Sequence, residues 1–570
     1  MQFLTLLSFV PAVLAFSNPV CYFTPCAHTS SGLVAGHTAA NRHSVTEYLG
    51  IPFAQPPIAH LRFAAPQPYI GTGFINGTDF GFSCPKLLND SYSLNPQRFP
   101  DVIGNFTPAG VQFLDVVSQY GAEYREREDC LTLNIWTKHA RSTRGSKGKG
   151  KAVLVWIYGG GFQFGSTAAE IYNGARIADE EDIIVVSLNY RVGIFGFPGA
   201  LDPQNPVKNL GLLDQRLALE WVRDNIGAFG GDPERITLAG QSAGAISVDY
   251  HSYAYSHDPI ASAMILQSGT AQAPSTGTSP ISSPLEIWIE LAAKLNCTSS
   301  PSDTSSLSLS SASAILNCMR SPSLTTSTIL SIAHLYPSSF TPIVDNLTVF
   351  PTSLYPSLTP APIPLLIGTT DNEGEIFAAR TLMTDAPLND TAKDALTRES
   401  FTCPAAVRAR VSGAKIWRYR AEIKKGWEEW ECSVSCWGCV YGVWELGDRG
   451  LESGGNEGAG EGGEVYERGL GGVCEGAREG VIRVRGDVDE ESTVRELRNE
   501  GNSQRVMKLG DEDEMGGEVE GRGWPTYEEG RKTLVRLGWK NRVGANLGWP
   551  RLENGLKRTP VVGGSYITAK

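Results

Sequence analysis

The feature that most constrains this chain is five residues long. Gly240-Gln241-Ser242-Ala243-Gly244 follows a short apolar run, Ile236-Thr237-Leu238-Ala239, and opens a helical stretch from Ala243 to Tyr250. The apolar run predicts a buried strand. A serine between such a strand and a helix must sit in a strained turn, and the flanking glycines give that turn room. The N–H of Ala243 and the positive end of the helix then face any oxygen that gains negative charge beside Ser242. The pattern therefore points to a serine nucleophile with part of an oxyanion site.

A second glycine element lies upstream. Val153-Leu154-Val155-Trp156-Ile157-Tyr158 predicts another strand, followed directly by Gly159-Gly160-Gly161-Phe162. Successive glycine N–H groups can converge on one oxygen, which suits an oxyanion hole. A phosphate-binding loop would need a Gly-Lys-Ser/Thr continuation, and none follows. Further strands are predicted at 183–188, 263–266, 364–368 and 415–419, alternating with helices. The stripe Leu210, Leu213, Leu217 and Trp221 has helical spacing and reads as core packing. The expected class is α/β, with a large, mostly parallel sheet flanked by helices.

At this point the chain resembles the type-B carboxylesterases, the family of cholinesterases, secreted fungal lipases and liver esterases. The resemblance spans residues 33–420. It rests on Tyr48-Leu49-Gly50-Ile51-Pro52-Phe53-Ala54, Glu128-Asp129-Cys130-Leu131-Thr132-Leu133-Asn134 and Asn189-Tyr190-Arg191. Asn209-Leu210-Gly211-Leu212-Leu213-Asp214-Gln215 and Phe229-Gly230-Gly231-Asp232-Pro233 then lead into the serine turn. The pattern is closest to secreted fungal members. The resemblance implies an α/β-hydrolase fold and ester hydrolysis through an acyl-enzyme. Ser242 would be the nucleophile, with Gly160, Gly161 and Ala243 as oxyanion donors. Glu373, in Asp371-Asn372-Glu373-Gly374-Glu375 after the 364–368 strand, matches the family's acid; Asp371 and Glu375 are its acidic neighbours. The same resemblance pairs Cys84 with Cys130 and Cys297 with Cys318. Whether Cys21 and Cys26 pair is open, and Cys403 has no obvious partner. With eleven cysteines, at least one thiol is left over.

The family's third catalytic residue is a histidine about a hundred residues beyond the acid, and here it is missing. All eight histidines lie between His28 and His334. His251 is nine residues past Ser242 in the same predicted helix, which places it on the opposite face. His334 precedes Glu373 in a Ser/Thr/Pro-rich stretch. All eight read as ordinary surface or loop residues. Where the histidine belongs, residues 421–523 carry no Pro, Phe or His and are dominated by Gly and Glu, without helical or strand periodicity. Cys432, Cys436, Cys439 and Cys474 fall there. A zinc site would need a second paired element, and Cys474 stands alone, so no metal is expected. Family-like sequence resumes with Gly523-Trp524-Pro525-Thr526-Tyr527 and Thr533-Leu534-Val535-Arg536-Leu537-Gly538. Such an interruption fits translation in another frame or a misjudged exon boundary; an acidic disordered insertion is the alternative.

The expected organisation is a signal peptide over 1–15, a hydrolase domain over 16–420, an irregular Gly/Glu-rich segment over 421–523 and a remnant of the esterase domain over 524–570. Residues 1–15 have a short apolar core ending in Val13-Leu14-Ala15, too short to span a bilayer. Six Asn-x-Ser/Thr sequons, at Asn76, Asn89, Asn105, Asn296, Asn346 and Asn389, agree with a glycosylated, secreted protein, as do the cysteines. Residues 138–151 read as a basic surface loop, and 299–328 as a Ser/Thr-rich surface excursion. With 49 basic and 61 acidic residues, the net charge of −12 argues against nucleic acid and anionic membranes as partners. The expected substrate is a small-molecule or lipid ester, with no cofactor and no membrane span; oligomeric state is open. Gln241 stands where cholinesterase-like members carry Glu, which disfavours cationic choline esters. Three readings remain: an ester hydrolase whose recorded sequence is damaged at the histidine loop, a crippled enzyme, and a non-catalytic binding protein. Survival of the serine turn, glycine loop and glutamate favours the first.

Overall fold

The computed structural model describes residues 19–40, 42–86, 125–139, 150–200, 202, 207–273, 284–298, 308–336, 339–374, 377, 389–411 and 414–421, with two short paired stretches at 498–499 and 502–503. The expectations for residues 1–15, Glu375, the cysteines beyond Cys403, the remainder of 421–523 and all of 524–570 lie outside the described residues, as do Asn89 and Asn105.

Twelve strands of the described chain build two sheets. A small one joins β1 (Cys26–Thr29), β2 (Gly32–Ala35) and β5 (Phe74–Asn76). The large one contains β3 (His37–Ala39), β4 (Arg42–Pro52), β6 (Thr132–Lys138), β7 (Lys151–Ile157), β8 (Ile184–Leu188), β9 (Gly231–Gln241), β10 (Ala263–Gln267), β11 (Leu365–Thr370) and β12 (Ile416–Ala421). Its order is β12-β11-β10-β9-β7-β8-β6-β4-β3. The strands from β12 to β8 run parallel, and β6, β4 and β3 continue antiparallel.

Unbroken apolar runs explain the centre of this sheet. Strands covered on both faces need no polar alternation. Every residue of β8 is buried, as are Val153 to Ile157 of β7. Helices α1 (Ala175–Glu180), α2 (Gly193–Gly196), α3 (Leu210–Asn225) and α4 (Ala243–Ala254) follow in chain order. In α3, Leu210 and Trp221 are buried while Leu213 and Leu217 pack against the core clusters, which bears out the packing stripe.

A second apolar cluster forms beneath α5 (Pro284–Lys294), α6 (Leu309–Met319) and α7 (Thr326–Ala333). This corrects the reading of 299–328 as a surface excursion for its described part, 308–328. Serines and threonines do decorate the outside, but two of them start helices. Ser308 accepts the N–H of Ser311, and Thr325 that of Thr328. Ile315, Leu316, Met319 and Ile329 are buried beneath. Polar composition hid a helical apolar face.

Among the described residues, three buried Arg–carboxylate pairs tie the layers. Arg62 grips Glu128 with two hydrogen bonds of 2.7 Å, and Arg191 grips Asp214 at 2.8 and 2.7 Å. Arg408, in α9 (Cys403–Val411), pairs with Asp249 of α4. Residues 138–151 are described only at their ends, where Lys138 reaches Asp179 and Lys151 reaches Asp182. Disulfides join Cys84 to Cys130 and Cys297 to Cys318, and Cys21 pairs with Cys26. Cys403, for which the sequence offered no obvious partner, is also in a disulfide.

Candidate active site

The candidate site gathers at the carboxyl ends of the parallel strands, where open α/β sheets place their ligands. β9 ends at Gln241 and α4 begins at Ala243. Between them Ser242 has φ 53° and ψ −123°, a conformation that L-residues avoid. Its backbone N–H donates to the carbonyl of Gln267 on β10 at 2.8 Å, which holds the turn against the neighbouring strand. Gly244 is a glycine for want of space: a Cβ there would lie 2.1 Å from the carbonyl oxygen of Ile157. The helix that Ser242 opens therefore presses directly onto β7.

The glycine loop arrives from β7. Gly160 has φ 117°, open only to glycine, and Gly161 has φ 60°. The carbonyl of Gly160 accepts the N–H groups of Gln163 at 3.0 Å and Phe164 at 3.3 Å, closing a tight turn. Gln163 anchors the loop from outside, donating through Nε2 to the carbonyl of Phe340 at 2.6 Å. A Cβ on Gly159 would stand 3.1 Å from the Cβ of Ser242 and 2.7 Å from Oε1 of Gln241. The loop and the serine turn are thus adjoining walls of one site, with the Gln241 carboxamide packed between them.

Glu373 lies beyond β11. In the sheet, Gln267 of β10 is in register with Gln241 on one side and Gly368 on the other. β9 and β11 are therefore two strand spacings apart, about 10 Å. The Glu373 carboxylate is fully buried and accepts the N–H of Thr370 at 2.8 Å. Gly374 donates its N–H to Oγ1 of Thr397 at 2.8 Å, so the loop is pinned from α8 (Asp390–Thr397). Asp371 is only half-buried, and its carbonyl accepts from Arg420 at 3.3 Å.

Among the described histidines, His251 corrects the expectation of surface residues. It is buried, and its Nε2 lies 3.1 Å from Oε1 of Gln215. Gln215 donates to Ser247 Oγ at 3.1 Å, and Ser247 donates to the carbonyl of Ala243 at 2.9 Å. Burial, with Arg216 nearby, lowers the imidazole pKa to about 3. A neutral ring facing an amide oxygen carries its proton on Nε2. His251 is thus a clamp between α4 and α3. The reading of helical faces anticipated that it points away from Ser242, but no local pattern signalled its burial.

A model of the carboxylesterase family matches residues 24–429. The chain belongs to the carboxylesterase family. The family's α/β-hydrolase fold is the large sheet described above. The chain is similar to a cholinesterase of Mus musculus, 42% identical over 235 residues, covering 40% of this chain and 34% of that protein. It is similar also to an acetylcholinesterase of Gallus gallus, 38% identical over 255 residues, covering 44% of this chain and 30% of that protein. The chain spans about a third of the length of these relatives. Among the described residues, no helix is long and apolar enough to cross a membrane.

Proposed function

We propose that this chain is built as a carboxylic ester hydrolase that works through Ser242. The observation that carries this reading is the backbone of Ser242, held at φ 53° between β9 and α4 with the glycine loop against its Cβ. Strain of this kind persists where the surrounding fold imposes it, and here it turns a side chain towards a glycine loop. Ser242 Oγ attacks the ester carbonyl carbon. The oxygen that gains charge receives the N–H groups of Gly160, Gly161 and Ala243. The tetrahedral intermediate then expels the alkoxide, which takes up the proton given up by Ser242 and leaves as the alcohol, and water hydrolyses the acyl-enzyme that remains. Glu373 serves to orient and stabilise an imidazolium between itself and Ser242.

That imidazole is what this sequence lacks. No histidine follows His334, and His251 is bound to Gln215. The protein of this exact sequence is therefore a very slow esterase; its alternative role is a crippled or non-enzymatic esterase-like binding protein. Gln241 keeps the site wall neutral, which favours uncharged small-molecule or lipid esters over choline esters. Secretion is part of the same reading, supported by the apolar start of the chain, the sequons and the disulfides.

The test is covalent labelling with a fluorophosphonate, followed by peptide mass spectrometry. A slow, time-dependent adduct on Ser242, absent from Ser242→Ala, is expected. An adduct that forms only elsewhere would remove Ser242 from the mechanism.

A further inference from the structure

We propose that Asn296 is an N-glycan acceptor whose occupancy is decided by competition with the Cys297–Cys318 disulfide. The inference rests on the secreted reading above. The sequon is Asn296-Cys297-Thr298, so its middle residue is itself half of a disulfide.

The folded sequon is open to carry a glycan but closed to receiving one. Asn296 is exposed, with φ 59°, just past the end of α5. Its N–H donates to the carbonyl of Ala293 at 3.0 Å, and that of Cys297 to the carbonyl of Ala292 at 2.7 Å. These two bonds form a Schellman motif with Asn296 as the left-handed residue, a position asparagine tolerates. Cys297 is then tied to Cys318 of α6, across 21 residues, with a Cα–Cα separation of 5.5 Å. Leu295 before the sequon and Leu316 and Met319 around Cys318 are buried. A transferase must reshape the chain around the acceptor amide and the Thr hydroxyl two residues on. The helix end and the bridge both oppose this, and only the bridge is covalent.

Two reactions therefore meet at this sequon. In one, the Asn296 carboxamide nitrogen forms a bond to the anomeric carbon of a polyprenyl-diphosphate-linked oligosaccharide. The sugar–phosphate bond breaks, and the amide proton is lost as the lipid diphosphate departs. In the other, the thiols of Cys297 and Cys318 pass two electrons and two protons to an oxidising disulfide of the secretory compartment, which becomes a dithiol. The dependence runs one way: a closed bridge freezes the sequon, whereas a glycan on Asn296 points into solvent and leaves Cys297 able to pair. Asn76-Gly77-Thr78 supplies an internal reference, because its Asn and Thr are exposed and it contains no cysteine.

The full chain is expressed in a eukaryotic secretory host. Occupancy of Asn296 and Asn76 is read by mass spectrometry after enzymatic deglycosylation, which converts a glycosylated Asn to Asp. Partial occupancy at Asn296 is expected in the parent. Occupancy should rise to that of Asn76 in Cys318→Ser, where the sequon is intact but the bridge cannot form. Because Cys318→Ser can impair folding, a second arm treats cells making the parent chain with a membrane-permeant thiol; Asn296 occupancy should rise there too. Equal occupancy of Asn296 with and without the bridge, beside an occupied Asn76, overturns the competition alone. No glycan at either site overturns it together with the secreted reading.

Discussion

Nε2 of His251 meets Oε1 of Gln215 at 3.1 Å on the covered side of the helix that Ser242 opens. The bond joins α4 to α3 and continues through Ser247 to the carbonyl of Ala243, the first residue after the serine. The chain's best-buried histidine therefore supports the serine turn from below.

This has a pH signature. The folded pKa of His251, about 3, lies below its ordinary value of 6.5. The unfolded chain thus binds the proton more readily, and the stabilisation is present above pH 6.5 and lost as pH falls towards 3. The slope from this one residue approaches about 1.4 kcal/mol per pH unit within that window. Urea unfolding of parent and His251→Gln between pH 4 and 7 measures it. A parent and variant that lose stability in parallel over that range would contradict the assignment.

The close approach of α4 to β7 sets the second expectation. Gly244→Ala puts a methyl group 2.1 Å from the Ile157 carbonyl oxygen, so the helix start must shift. A loss of about 1–3 kcal/mol is expected in denaturant unfolding, as for other overpacked sites. Fluorophosphonate labelling of Ser242 should slow in the same variant, since the glycine loop and the turn no longer meet. Unchanged stability and labelling would show that the contact is soft.

The Arg408–Asp249 pair links α9 to α4. Asp249 also accepts from Ser252 Oγ at 3.1 Å and from the N–H of Ala271 at 2.8 Å. Arg408→Met leaves a buried carboxylate without its cation and should cost about 3–5 kcal/mol. Adding Asp249→Leu should restore part of this, but not all, because Ala271 loses its acceptor. The double-mutant cycle decides: additive losses would mean that the two side chains do not depend on each other.

Turnover gives the fourth expectation. Loss of the base alone lowers turnover in triad hydrolases by on the order of 10⁶, while the oxyanion site and binding retain roughly 10³–10⁴ over water. The chain as it stands and its Ser242→Ala variant should hydrolyse a p-nitrophenyl short-chain ester at nearly equal, background-level rates. Robust hydrolysis that disappears in Ser242→Ala would show that another residue acts as base.

The last expectation concerns the transcript. The family model ends at residue 429, just inside a stretch rich in Gly and Glu that holds no histidine. A cDNA spanning codons 415 to 530 should encode a histidine in another frame between Arg420 and Trp524. A transcript that reads as this sequence does would refute the frame explanation.

What the sequence determined by itself is local. The glycines around Ser242, the apolar runs of β7 to β11 and the triple glycine each act over a few residues, through backbone sterics and the burial of continuous apolar strands. Those signals were enough to indicate the sheet and the serine turn; Glu373 was picked out only through the family resemblance. The tertiary structure decided everything that depends on a partner far away in the chain. His251 is buried because Gln215 and α3 cover it, 36 residues back in sequence. The Ser/Thr-rich 308–328 stretch is helical because α5 supplies a surface for Ile315, Leu316 and Met319. The two-strand gap between Ser242 and Glu373 exists only once β10 inserts between β9 and β11. Burial and register are properties of pairs of segments, and a single segment's composition carries no record of which partner will cover it.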